Sequence, residues 1–160
     1  MALGDNVQMA YTAAVNTLSR QNATLNNLRG RATALLTVAA LSTSFSTGVG
    51  LLNTNHANGG TFPTWAAYTL LGIVVVIGAL CVFILWPIAK FGYDPSAQYV
   101  LDHTDKGETA DQIARALTGD MIEGSSENDR GIDLRMRAFE IGAVLLVAEV
   151  AVLLIALVAG

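Results

Sequence analysis

The sequence predicts an all-α membrane protein: three transmembrane helices with cytoplasmic helical extensions. Three observations point there. The runs Ala32–Leu52, Trp65–Ile88 and Ala138–Gly160 are uncharged or nearly so, and at about 1.5 Å per residue each is long enough for a helix to cross the ~30 Å hydrocarbon core. Only 14% of residues are charged and 52% are hydrophobic, against roughly 25% charged in soluble domains, which argues against a soluble bundle of buried helices. All nine Lys and Arg fall before the first run (Arg20, Arg29, Arg31) or between the second and third (Lys90, Lys106, Arg115, Arg130, Arg135, Arg137). The positive-inside rule then puts the N-terminus and residues 89–137 in the cytoplasm and the C-terminus outside. The predicted order is a cytoplasmic N-terminal amphipathic helix (1–31), a transmembrane hairpin (32–88, spans about 32–52 and 65–88), a cytoplasmic helical segment (89–137) and a third transmembrane helix (138–160).

Residues 5–30 read as a helix. Val7, Tyr11, Ala14, Leu18, Gln21, Leu25 and Leu28 recur at alternating steps of four and three, a heptad seam with Gln21 as its one polar member, and Ala32 and Leu35 carry it into the first span. The seam packs either against the later cytoplasmic helices of the same chain or against a second copy. Gly30 is the weak point of such a helix, about 1 kcal/mol worse than alanine in a helix interior, and marks a candidate hinge. The polar stretch ahead of the first span lacks the form of a secretory signal peptide.

Asn53–Thr64 is a turn-forming loop with Gly59-Gly60 and Pro63 and no Lys or Arg. The second span is conventionally apolar, with Trp65, Tyr68 and Trp86 near its ends as interfacial anchors and Lys90 placed to snorkel. Asp94-Pro95 suits the cap and first position of a short helix reaching about His103, and Asp105–Gly107 breaks it. Thr109 and Gln112 fit a capping box before a helix carrying Ile113, Leu117 and Met121. Gly124-Ser125-Ser126 is a second expected break, with Ser126 capping a last helix that enters the third span.

No catalytic constellation is visible. His56 and His103 lack ligand spacing, the single Cys81 has no neighbours for a metal site, and no Walker, GxSxG or HExxH pattern occurs. The expectation is a protein without enzymatic activity, metal or cofactor. A formal net charge of −4 also argues against nucleic acid as a partner.

Glu149 is the sharpest single feature, a carboxylate at the middle of the third span. Ionisable residues there are costly and usually face a partner or a water-filled cavity. No Lys, Arg or His lies within the spans to pair with it. It is neutral and protonated, or bonded to hydroxyls of the first span, or lines a pore. Gly142, Glu149 and Ala156 share one face at seven-residue spacing. In the first span Thr33, Thr37, Ala40, Ser44 and Thr47 share a face, which either bonds back to its own helix carbonyls or forms a hydrated lining opposite Glu149. Two arginine groups, Arg29 with Arg31 and Arg130 with Arg135 and Arg137, flank the first and third spans. Such groups obey the positive-inside rule, bind anionic lipid, or recognise phosphate bidentately.

The order of parts carries a resemblance. Leu25 leads through Leu28-Arg29-Gly30-Arg31-Ala32-Thr33-Ala34-Leu35-Leu36 into the first span. A hairpin closes on Leu85-Trp86-Pro87, and Asn128, Ile132 and Arg135 lead into the last span. This resembles the small transmembrane effectors of bacterial cyclic-nucleotide antiphage systems, the Pycsar transmembrane effectors and SLATT-type membrane proteins. The resemblance implies a multi-pass protein of the bacterial inner membrane, working as a homo-oligomer in the bilayer, that permeabilises the membrane when a cyclic nucleotide signals infection. The competing readings are a non-toxic scaffold membrane protein and a holin-like lysis protein.

Overall fold

The structure, a computed structural model, describes residues 4–52, 63–87 and 97–159, with side chains 46, 47, 49–52 and 159 left aside. The described residues form four helices and no strand: α1 Asp5–Leu52, α2 Thr64–Leu85, α3 Ala97–Asp105 and α4 Ala110–Ala159. They divide into two units, one of Met1–Asn26 with Pro87–Leu134 and one of Asn27–Trp86 with Arg135–Gly160.

Local chemistry sets the helix ends. Pro63, at φ −63° and ψ 130°, precedes α2, and its carbonyl accepts from the amides of Ala66 and Ala67. At the other end Pro87 disfavours helical geometry at the residue before it, so Trp86 takes ψ 129° and α2 stops at Leu85, three residues short of the expected Ile88. Helix α3 ends in a Schellman motif. Gly107 sits at φ +79° and donates to the Thr104 carbonyl, while Glu108 donates to His103. The capping box of α4 forms: the Thr109 amide donates to Gln112 Oε1 at 2.9 Å, and the Gln112 amide reaches Thr109 Oγ1 at 3.4 Å. The Asp94-Pro95 cap, the loop tip and Lys90 lie outside the described residues.

The expected break at Gly124–Ser126 is absent. Helix α4 runs through it, because the hydroxyls of Ser125 and Ser126 fold back onto the carbonyls of Ile122 and Glu123 and packing overrides weak propensity. Ser126 therefore caps nothing. Gly30 lies inside an uninterrupted α1, and nothing stands within 4 Å of a Cβ built there.

In the first unit the seam of α1 packs on α4 of the same chain. Ala14 lies among Ile113, Leu117 and Met121, with Tyr11, Leu18 and Tyr99 against them. Gln21 is buried and bonded: its amide donates to the Ser125 carbonyl at 2.9 Å and to Asp129 Oδ1 at 2.6 Å, and its oxygen accepts from buried Asn128 at 3.3 Å. The polar seam residue thus serves intramolecular register.

In the second unit α1, α2 and α4 pack in layers. Leu28, Ala32, Ile84 and Ala138 form one, and Leu35, Ala39, Ile77 and Cys81 the next. Gly142 permits close approach, since a Cβ there would stand 2.8 Å from Leu35 Cδ2. Cys81 fills space beneath α1, its thiol 3.5 Å from the Ala32 carbonyl.

Three spans were expected; among the described residues two helices are long and apolar enough to cross a membrane, Thr64–Leu85 and Ala110–Val158. The run 32–52 is not one of them. Its side chains 46, 47 and 49–52 lie outside the described residues. Only 22% of the most apolar stretch of either candidate is buried within this chain, less than a core helix would show.

Replacing Gln21 with leucine removes three hydrogen bonds and leaves Asn128 buried with its amide unpaired, and should destabilise the first unit by about 1–3 kcal/mol. Replacing Gly142 with isoleucine should cost the second unit a similar ~1–3 kcal/mol by overpacking Leu35. Thermal unfolding of the full chain in detergent, followed by circular dichroism, reads both.

Candidate functional site

Glu149 lies on the buried stripe of α4 between Gly142 and Ala156, and it is 0% exposed. Stepping by four along α1 from Leu35 through Ala39 reaches Thr43, whose hydroxyl stands 3.4 Å from Glu149 Oε1. The same hydroxyl lies 2.9 Å from the Ala39 carbonyl. Glu149 Oε2 is buried with no hydrogen-bond partner among the described residues. Cationic help is excluded by composition: no Lys, Arg or His occurs in residues 32–52, 65–88 or 138–160. The carboxyl is thus withdrawn from solvent with one long hydroxyl contact among the described residues.

The hydroxyls expected opposite Glu149 do not meet it. Thr33, Thr37 and Ser44 are exposed and donate to the carbonyls of Arg29, Thr33 and Ala40. The side chain of Thr47 lies outside the described residues. The face 33-37-40-44 is therefore the outward face of α1, and the hydroxyl that does meet the carboxyl is Thr43, one residue from Ser44 and about 100° around the helix. The heptad seam carries the missed signal, because it places Ala39 and then residues 42 and 43 on the buried side.

The five arginines also separate. In the second unit Arg135 is 9% exposed, donates through Nη2 to the Trp86 carbonyl at 3.2 Å, and holds its guanidinium 5.3 Å above the Phe83 ring. Its pKa is lowered, first by burial and then by the charge of Arg29. Arg29 is half-buried, and its Nε has no hydrogen-bond partner among the described residues. Arg31 is exposed and bonds along its own helix to Asn27 Oδ1 at 3.1 Å. Arg137 is exposed, and exposed Arg130 belongs to the first unit.

The first unit contains a cavity of about 500 Å³ between α1, α3 and α4, lined by Tyr11, Val100, Thr104, Glu108, Ile113 and Leu117 among others. Its one charged lining residue among those described is acidic, so it has no complement there for a phosphate. No group of three or more His, Cys, Asp or Glu that could hold a metal ion occurs among the described residues. No protein-family model, no curated protein and no solved structure matches the chain.

Substituting Thr43 by valine leaves both carboxyl oxygens of Glu149 without a donor in the bundle and should destabilise the second unit by ~1–3 kcal/mol. Thr37→Val, on the outward face, should change stability by less than about 0.5 kcal/mol. Adding Glu149→Leu to Thr43→Val should recover most of the loss, since an apolar pair needs no hydrogen bond. Thermal melts of the four proteins in one detergent decide the matter.

Proposed function

We propose that the chain is an integral membrane protein of three spans, the first within residues 32–52, with its N-terminus in the cytoplasm. It assembles as a homo-oligomer and permeabilises the bacterial inner membrane in antiphage defence, without enzymatic activity. The observation that carries this reading is the enclosure of Glu149. A carboxyl with one long hydrogen bond in an apolar bundle is costly. Any rearrangement that brings it to water or to groups of other copies recovers part of that cost. The packing shown by the single chain is then a resting form with a built-in bias toward opening. The outward faces support a lipid environment. Leu71, Val75 and Val82 on α2 and Val144, Val147, Leu154 and Val158 on α4 are all exposed, an apolar outer face of the kind that meets lipid or a partner.

The cyclic nucleotide as trigger comes from the resemblance alone. Gly30 is the proposed hinge between cytoplasmic and membrane portions of α1. The exposed arginines Arg31, Arg130 and Arg137 are assigned to general attraction toward anionic headgroups.

Expression in bacteria should depolarise the membrane, and purified protein should release dye from liposomes once the trigger is present. Glu149→Leu should insert normally and abolish both effects. Harmless expression with no leakage under any cyclic nucleotide, and no difference between wild type and Glu149→Leu, would leave the scaffold reading standing instead.

A further inference from the structure

The cavity of about 500 Å³ between α1, α3 and α4 has no part in the proposed function. Its size falls within the ~300–1,000 Å³ of small-molecule sites. Helix α3 is seated lightly on its neighbours. None of its nine residues is buried, and Tyr99 alone is half-buried against the cluster of Ala14, Ile113, Leu117 and Met121. Val100 lines the cavity on the α3 side, and Ile113 and Leu117 line it on the α4 side. The walls are therefore mostly apolar.

The polar side chains among the described lining residues are Tyr11, Thr104 and Glu108, and together they favour a donor. The Glu108 carboxylate only accepts hydrogen bonds. Thr104 gives its one hydroxyl proton to the Val100 carbonyl at 2.7 Å, which leaves its oxygen lone pairs. Tyr11 offers a phenol oxygen and a ring face that attracts cations. Glu108 is half-buried, and the turn that ends α3 sets its position: its amide donates to the His103 carbonyl at 3.1 Å. The wider field has the same sign. Residues 1–26 and 87–134 carry eleven carboxylates against five Lys and Arg. The positive end of α4, where Ala110 lines the cavity, already has Asp111 in its first turn.

We infer that this cavity binds a small organic cation, an ammonium group carried on an aromatic or branched apolar body. The ammonium donates to Glu108, and the body lies against Val100, Ile113 and Leu117. A charge-assisted bond to a half-buried carboxylate gives the preference for a cation, and burial of the body gives affinity. Such a ligand ties α3 to α1 and α4. The inference rests on the first unit alone and makes no demand on permeabilisation.

The test is equilibrium dialysis of the full chain in nonionic detergent, with no leakage measurement. The probe is naphthylethylammonium, with neutral naphthylethanol and anionic naphthylacetate as controls of similar shape, and protein-free micelles supply the background to subtract. The cation should bind saturably and about fivefold or more tighter than the alcohol, and the anion should bind least. Glu108→Gln keeps an acceptor and removes the charge; it should weaken cation binding about fivefold or more and leave the alcohol within about twofold. Glu127→Gln, at an exposed carboxylate outside the lining, should change cation binding less than about twofold. Val100→Trp fills the cavity from a position 37% exposed and should abolish saturable binding of cation and alcohol alike. If Val100→Trp fails to fold, the Glu108→Gln comparison between cation and alcohol still decides. Cation uptake no greater than that of micelles, equal binding of the three probes, or a cation preference that survives Glu108→Gln would overturn the site.

Discussion

Helix α1 offers its neighbours one narrow stripe. Every buried residue described on it, from Val7 through Ala14, Gln21, Leu25, Leu28, Ala32 and Leu35 to Ala39, falls on steps of three, four or seven. That spacing is a demand as well as a pattern. A position on the stripe loses contact with solvent, so a polar side chain there has to find its partners within the bundle. Gln21 finds three, from Ser125, Asp129 and Asn128. Farther along, Thr43 is only half-buried and faces a carboxyl that finds one. The same geometric rule yields a satisfied polar contact in one unit and a poorly satisfied one in the other, and the difference separates a contact that specifies packing from one that suits a change of state.

Much of this was legible in the residues. The seam, the capping box at Thr109, the break at Gly107 and the anomaly of Glu149 all rest on strong local signals: fixed spacing, turn-forming residues, or a charge among apolar neighbours, whereas the stop imposed by Pro87 at Leu85 was not anticipated. Two expectations rested on signals that are weak in isolation. Gly124-Ser125-Ser126 reads as a breaker, yet serine can bond back to its own helix, and the carbonyl of Ser125 is held by Gln21 from 104 residues away. The alternative of a lining opposite Glu149 rests on the alignment of Thr33, Thr37, Ala40, Ser44 and Thr47, of which Thr33, Thr37 and Ser44 bond back to their own helix, as the other reading expects. Alignment alone does not say which way a face points; the apolar seam on the same helix does, and it selects Thr43.

The arginines show how a global rule hides local differences. Charge bias orients a membrane chain whatever each side chain touches, so five arginines near apolar runs look equivalent in sequence. Their burial is not equivalent. Arg31 and Arg137 reach solvent, whereas Arg135 is packed on Phe83 and Arg29 is half-buried. Positions 29 and 31 both lie between the buried Leu28 and Ala32, on opposite flanks of the seam, and nothing in spacing marks one as more buried than the other.

The contact between Thr43 and Glu149 is unequal in a way its distance alone does not show. A threonine hydroxyl has one proton to give, and the Ala39 carbonyl at 2.9 Å competes for it with the carboxyl at 3.4 Å. If α4 turned away, Thr43 would keep its bond to its own helix and lose nothing, while Glu149 would be released to whatever acceptor-hungry surroundings it next meets. The resistance to that turn comes from the hydrocarbon packing around Gly142 and Leu35. The polar pair contributes an asymmetry, a contact that one partner can leave without the other being left unsatisfied.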